Sequence, residues 1–307
     1  MTVQLQQLRY FLAVVETRHF TQAADNLGVA QPTLSKQIHT LEESLGAPLF
    51  ERIRGAVALT AAGETLLPLA QRMVADADAA REAVQEIVGL RRGEVRLGAT
   101  PSLCSSLVPE VLRTFRAAHP EIQLYVNEGS SQDLIESLLA HTLDLALIVQ
   151  SARGVDEALE ATPMLRESLV VASVADGPRP TPNAEIALGE LEHTPLVMFR
   201  AGYDIRGVTL EACRQAGFAP KVAVEGGEMD AVLAFVEAGL GVALVPSMVL
   251  ANRPLLHATA LAPPGMRRTI ALAQRKRSVL PHAAAALRAT LLTHVATQEL
   301  PAGVRPL

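Results

Sequence analysis

No run of apolar residues in this chain approaches the ~20 that a membrane-spanning helix needs. The longest, such as Ala238–Val245, are short and broken by glycine, so no spanning segment is expected. Cysteine is scarce: Cys104 and Cys213 lie far apart with no CxxC spacing, which excludes a disulfide scaffold and fits a reducing compartment. Positive charge is not in excess either. The net charge is −5, so a nucleic-acid partner must be held by a local constellation rather than by bulk electrostatics. Met1 is not followed by a basic segment and an apolar one in the order of a secretory leader, and a cytoplasmic, soluble protein is the expectation.

Reaction signatures are missing too. There is no Walker sequence, no GxSxG and no HExxH, and the eight histidines are scattered, so neither a metal site, a cofactor nor a catalytic centre is expected. Gly239-Leu240-Gly241 lacks the third glycine of a dinucleotide fingerprint and lies between a helix and a strand in the wrong order, which suits a helix cap instead.

What is present is a globular balance, 49% apolar and 19% charged over 307 residues, enough for two or three domains. Residues 1–60 read as short helices ending in a basic turn, and residues 60–89 as one long helix. From residue 93 strands and helices alternate. The predicted strands are Glu94–Ala99, Ile122–Asn127, Leu143–Val149, Leu169–Ser173, Leu196–Phe199, Lys221–Val224, Val242–Val245 and Thr269–Gln274. Helices are predicted at Leu107–His119, Ser131–Ala140, Ile205–Ala216, Met229–Ala238 and about 281–297. Such alternation implies βαβ units and a mostly parallel sheet, with loops at Asp176–Pro182 and Ala262–Gly265.

In the first block, Leu5, Leu8, Phe11, Leu12 and Val15 recur at helical spacing. Ala23, Ala24 and Leu27 give a second helix a small inward face, and Gly28 suits a tight turn. Pro32 stands where a third helix starts, and Leu34, Ile38, Leu41 and Leu45 make its apolar stripe. Its other side carries Gln31, Thr33, Ser35, Lys36 and Gln37, donors and acceptors suited to base edges and phosphates. Pro48 to Thr60 then reads as strand, basic turn and strand, a wing that carries Arg52 and Arg54.

The order and gaps of Leu8-Arg9-Tyr10-Phe11, Phe20-Thr21, Ala23-Ala24, Gln31-Pro32, Leu34-Ser35, Gln37-Ile38, Leu41-Glu42, Leu45-Gly46, Leu49-Phe50-Glu51-Arg52, Leu59-Thr60 and Ala62-Gly63 resemble the signature of LysR-type transcriptional regulators. The resemblance is specific over roughly the first 65 residues and looser beyond. It implies an α/β protein in three parts. A winged helix-turn-helix DNA-binding domain (1–60) is followed by a linker and dimerisation helix (61–90). An effector-binding domain of two periplasmic-binding-protein-like (type 2) lobes (91–307) completes it, lobe I at about 93–164 and 269–307 and lobe II at about 165–268.

Partners implied are double-stranded promoter DNA, a small-molecule effector such as a small organic acid or other anion, a second copy of the chain in a dimer or tetramer, and RNA polymerase as a further candidate. By the same resemblance Gln31, Pro32, Thr33, Ser35 and Lys36 fall where the recognition helix meets DNA, Thr21 where the preceding helix touches backbone, and Arg52 or Arg54 on the wing. Two positions depart from the family pattern. Ala30 replaces a common serine and leaves the helix without a side-chain cap, and Lys36 replaces a frequent arginine and cannot form the planar bidentate contact to guanine.

Leu66, Ala70, Met73, Ala77, Ala80, Val84 and Ile87 are spaced as a heptad seam for dimerisation; the other reading of that stripe is a helix packed on its own chain. Thr60 is a natural cap for this helix, Gly89 a natural stop, and Pro68 predicts a mild kink.

In the α/β part, ligands are expected beyond the carboxyl ends of strands. By resemblance Thr100, Ser102, Ser130, Phe199, Arg200 and Met229 occupy the effector cleft. Arg200 suits either an acidic effector or an ion pair between the lobes; the other reading of Thr100 and Ser102 is a plain helix cap, and of Phe199 and Met229 a place in the core. A second class of function, thiol redox sensing by Cys104 and Cys213, is set against their separation in sequence; an enzyme or transport binding protein on the same lobes is a third.

Overall fold

The structure, a computed structural model, describes residues 3–53, 56–87, 93–150, 154–276 and 279–307. Contacts divide the chain into two units, residues 1–90 with 139–142, and residues 91–138 with 143–307.

The first unit contains α1 (Leu5–Thr17), α2 (Phe20–Asn26), α3 (Gln31–Leu45), a hairpin of β1 (Phe50–Ile53) and β2 (Ala56–Leu59), and α4 (Ala61–Ile87). Its core gathers Leu8, Phe11 and Val14 of α1, Ala23 and Ala24 of α2, Leu34, Ile38 and Leu41 of α3, and Leu66 and Ala70 of α4. Gly28 has φ +65° in the turn between α2 and α3, a conformation that costs other residues more. Leu27 and Leu45 depart from the expected apolar faces, being 36% and 42% exposed. Each lies at the C-terminal end of its helix, where the chain turns away.

Thr60 Oγ1 accepts the N–H of Gly63 at 3.1 Å and donates to the carbonyl of Pro48 at 2.6 Å, capping α4 as its sequence suggests. Pro68 sits inside α4 without ending it. Gly89 lies outside the described residues.

The second unit runs β3 (Glu94–Ala99), α5 (Pro101–Cys104), α6 (Leu107–Ala118), β4 (Gln123–Glu128), α7 (Ser131–Leu139), β5 (Leu145–Val149) and β6 (Leu159–Val174). It continues through β7 (Glu185–Ile186), β8 (Leu196–Met198), α8 (Asp204–Gln215), β9 (Val222–Glu225), α9 (Met229–Glu237) and β10 (Ala243–Pro246), then β11 (Leu256–Leu261), β12 (Met266–Arg275), α10 (His282–Thr297) and β13 (Val304–Pro306). A large sheet has the order β4-β3-β5-β12-β6-β11-β7, with β10 and β13 also on β6; β8 and β9 pair separately.

The expectation of a mostly parallel sheet is corrected here. Parallel pairing is local, in β3 with β4 and β5, β8 with β9, and β11 with β7. The long strands β6 and β12 pair antiparallel with each other and with β5, β10, β11 and β13. They run from one apolar core to the other. One core gathers β3, α6, β5 and α10 around Phe115, the other β8, α9 and β10 around Phe199 and Val232. The apolar run predicts only Leu169–Ser173 of β6. Its earlier half carries Glu160, Pro163, Arg166 and Glu167, which interrupt the apolar run, and the register shifts beside Pro163, a residue with no N–H for the ladder.

Candidate functional site

In the first unit α3 divides its residues cleanly. Leu34, Ile38 and Leu41 are buried, while Gln31, Pro32, Thr33 and Lys36 are exposed and Ser35 is half-buried. Thr21 is exposed on the first turn of α2. Gln37 is not free on the outer face as expected: its Oε1 accepts Gln7 Nε2 of α1 at 3.3 Å. Ala30 forms the N-cap of α3 with no side-chain bond, followed by proline in the first turn.

Glu42, on the flank of α3, accepts the N–H groups of Leu49 at 2.8 Å and Phe50 at 3.4 Å, fixing where the hairpin leaves the helix. The backbone of Arg52 lies in β1; its side chain and the whole of Arg54 fall outside the described residues. Arg9 of α1 pairs with Asp78 of α4, and so ties the long helix to the three-helix core.

The seam on α4 splits. Leu66 and Ala70 are 9% and 0% exposed and belong to the core of their own unit, so these two positions are already covered. Met73 is 43% exposed, Ala80 is exposed and Ala77 half-buried. The side chains of Val84 and Ile87 lie outside the described residues.

In the second unit, β4, β3 and β5 are parallel and end at one edge of their sheet, and β8 and β9 likewise end together. A cavity of about 150 Å³ opens where those ends converge, lined by Thr100, Ser102, Glu128 and Ser130 from one side, Arg200, Tyr203, Asp204 and Glu228 from the other, and Arg268 of β12. Of the sequence candidates, the structure brings Thr100, Ser102, Ser130 and Arg200 to its wall. Phe199 and Met229, each 1% exposed, sit in the apolar core behind it. Phe199 stacks on Tyr203 at 4.8 Å between centroids, so it supports a lining residue without lining the cavity.

The interior of the cavity is built from buried polar groups. Arg268 donates from Nε to Glu167 at 2.8 Å and from Nη2 to the Ser102 hydroxyl at 2.9 Å. Glu167, fully buried, also accepts the N–H of Met248 at 2.8 Å. Burial of this pair requires such complete hydrogen bonding. Thr100 Oγ1 lies 3.4 Å from Ser102 Oγ and caps no N–H of α5.

Charged and more exposed groups ring the opening. Arg200 donates from Nε and Nη2 to Glu228 at 2.8 and 2.6 Å. The described ion pair of Arg200 thus lies within one lobe, while its charge also favours the ionised form of Asp133 on the other side of the cavity. Ser130 is a cap: its N–H and hydroxyl donate to Asp133 and its hydroxyl accepts the Asp133 N–H, holding that carboxyl below the usual range. Ser131 Oγ accepts the Val149 N–H and donates to Asp204, both at 3.1 Å, joining the two sides. Burial, then the neighbouring charge of Glu228, pushes the Glu128 carboxyl up.

Arg268, Tyr203 and Asp204 are not legible as site residues in the sequence. The available signal was a pair of charges, Glu167 and Arg268, set inside stretches that otherwise pack as strands. Among the described residues no group of three or more His, Cys, Asp or Glu is placed to hold a metal ion. Burial pushes the Cys104 thiol up to about 12, and Cys213, fully buried on α8, is raised for the same reason. No helix among the described residues is long and apolar enough to cross a membrane.

Comparison with known proteins agrees with this division. Residues 5–64 match the model of the bacterial regulatory helix-turn-helix protein, lysR family, and residues 89–296 match the LysR substrate binding domain. The transcriptional dual regulator GltC of Bacillus subtilis is 32% identical over 250 residues, 81% of this chain and 83% of its own. The dual regulator OxyR of Escherichia coli is 28% identical over 285 residues, 91% of each chain. Among solved structures, a full-length OxyR of Pseudomonas aeruginosa superposes with a TM-score of 0.76 at 25% identity, covering 99% of this chain and 98% of that one. CbnR in complex with its target DNA gives 0.69 at 25% identity, covering 96% and 99%. The chain belongs to the LysR family of transcriptional regulators, with a DNA-binding helix-turn-helix followed by an effector-binding domain.

Proposed function

We propose that this regulator reads a promoter with the exposed flank of α3 and is switched by a small molecule held in the cavity of its second unit. The observation that carries the DNA-reading half is α3 itself: Leu34, Ile38 and Leu41 anchor it while Gln31, Thr33 and Lys36 project from its first turns. That geometry suits insertion into a major groove, with Thr21 and the wing arginines Arg52 and Arg54 on backbone. CbnR, a relative of similar fold, has been solved on its target DNA, which supports the same mode here. The protein acts in the cytoplasm, where its DNA is.

Residues 1–60, 61–90 and 91–307 form the reading head, the linker helix and the effector domain. Two chains pair along Met73, Ala77, Ala80, Val84 and Ile87, and pairs assemble into tetramers that place the reading heads on half-sites about one DNA turn apart. RNA polymerase is the partner through which occupancy changes transcription. An effector in the cavity, with its anionic group toward Arg268, Thr100 and Ser102, must bind one assembly state more tightly than the other to act as a switch. The family regulates transcription, and no turnover is assigned to the cavity.

The test is a footprint across the promoter adjoining the protein's own gene, followed by titration of the protected site. Lys36→Ala is expected to weaken binding and make the slope of log K against log salt shallower by about 0.9 for each reading head on the DNA. An unprotected promoter, or alanine at Gln31 and Ser35 with affinity unchanged, overturns the reading.

A further inference from the structure

The cavity is polar in two different ways, and the division lies along its depth. Its interior presents Arg268, Thr100 and Ser102, respectively 9%, 5% and 1% exposed. Its opening presents Glu128, Asp133, Asp204 and Glu228 against one guanidinium, that of Arg200. Arg200 is already matched by Glu228. Arg200 also favours the charged form of Asp133, Asp204 accepts only a serine hydroxyl among the bonds described, and Glu128 faces Glu228, with which it shares a hydrogen bond, and Asp230, which Arg253 pairs. Carboxylates that outnumber the cations beside them destabilise one another, and a further positive charge placed among them relieves that. The cation they suit is organic, because the described carboxylates do not converge as a metal cage.

Resting on the reading of this cavity as the effector site, we propose that the effector is a compact zwitterion of the α-amino-acid class, its carboxylate toward Arg268, Thr100 and Ser102 and its ammonium between Glu128 and Asp204. The two ends stand on different elements. Glu128 ends β4 and Asp204 opens α8; Ser131, which opens α7 just after β4, donates to Asp204 beside them. An ammonium between the two carboxylates therefore joins the two sides of the cavity, which gives the ligand a means of favouring the closed arrangement. At about 150 Å³ the space is below the ~300 Å³ at which drug-sized sites begin, and a small amino acid is in keeping with it.

The experiment is a thermal-shift and calorimetric panel on the full-length protein. Each of the twenty common L-amino acids is compared with its desamino acid and its decarboxylated amine at equal ionic strength. At least one amino acid is expected to raise Tm by about 5–10 °C when a hundredfold above its Kd, with its desamino acid and its amine each at least about tenfold weaker. Glu128→Gln, at the exposed rim, is expected to weaken the amino acid about tenfold and to leave the desamino acid unchanged. A desamino acid that binds as well as its amino acid overturns the zwitterion and spares the cavity as effector site. Amino-acid binding indifferent to both Glu128→Gln and Arg268→Lys places the ligand elsewhere, and the cavity reading falls with the proposal. No shift from any amino acid overturns the proposal while leaving the footprint, and hence the DNA-reading half, standing.

Discussion

Glu167 and Arg268 pair in the inner wall of the cavity, where Glu167 is fully buried and Arg268 nearly so. Arg268 holds Glu167 and Ser102 at once, and Glu167 also receives the Met248 N–H. Removing one partner leaves the other buried and unmatched, so Arg268→Met is expected to cost about 3–5 kcal/mol. Adding Glu167→Gln should recover most of that, because the neutral amide still accepts from Met248. The urea midpoint of the transition of the second unit measures both. Glu128 carries the opposite sign of effect. Its carboxyl is raised from 4.5, so its favourable contribution is complete only below about that pH and is lost as pH rises through the folded-state value. Glu128→Gln is accordingly expected to raise Tm at pH 7 and to leave it unchanged at pH 4. Equal effects at both pH values would show that charge is not the cause.

At the scale of the element, helix propensity and packing give opposite answers at two glycines. A Cβ on Gly63 would lie 2.3 Å from the Leu49 carbonyl oxygen, where α4 starts against the hairpin. Gly63→Ala is therefore expected to destabilise the first unit by about 1–3 kcal/mol even though alanine is the better helix former. Gly207, inside α8, has nothing within 4 Å of the same position, and Gly207→Ala should stabilise by ~1 kcal/mol. Differential scanning of the two variants tests both, and a shared sign would refute the packing argument. The same contrast explains what was legible beforehand. α3 announced itself through Pro32 and the Leu34–Ile38–Leu41 stripe, and Glu94–Ala99 matches β3 residue for residue, because a local pattern set each. The first half of β6 and all of β11 are not legible in the sequence: the first pairs with β12 and the second with the later half of β6, and such long-range partners leave no period in a single segment. The cavity was half legible for the same reason. Thr100, Ser102, Ser130 and Arg200 follow the strand ends of single βα turns, while Arg268 arrives from a crossing strand that only the tertiary fold delivers.

For the whole molecule the open contrast is with relatives that include OxyR and proteins described as hydrogen peroxide-inducible genes activators. Thiol chemistry needs a thiolate that the oxidant can reach and a partner within bridging distance. Cys104 is held at about 12, and its Sγ contacts the Ala99 carbonyl at 3.6 Å. Cys213 is 0% exposed on α8, with its thiol also raised. The two thiols pack in different places, Cys104 against the core around Phe115 and Cys213 on a helix of the other lobe, so a bond between them would have to rearrange α5 or α8. Neither thiol is therefore expected to react with a disulfide reagent at pH 8 within minutes in the native protein, while both react once urea unfolds it. Millimolar peroxide is expected to leave DNA affinity unchanged, and the Cys104→Ser, Cys213→Ser double variant should keep its small-molecule response. Peroxide-dependent DNA binding that disappears in either single variant would move this chain to the redox class and overturn the proposal that the cavity is its switch.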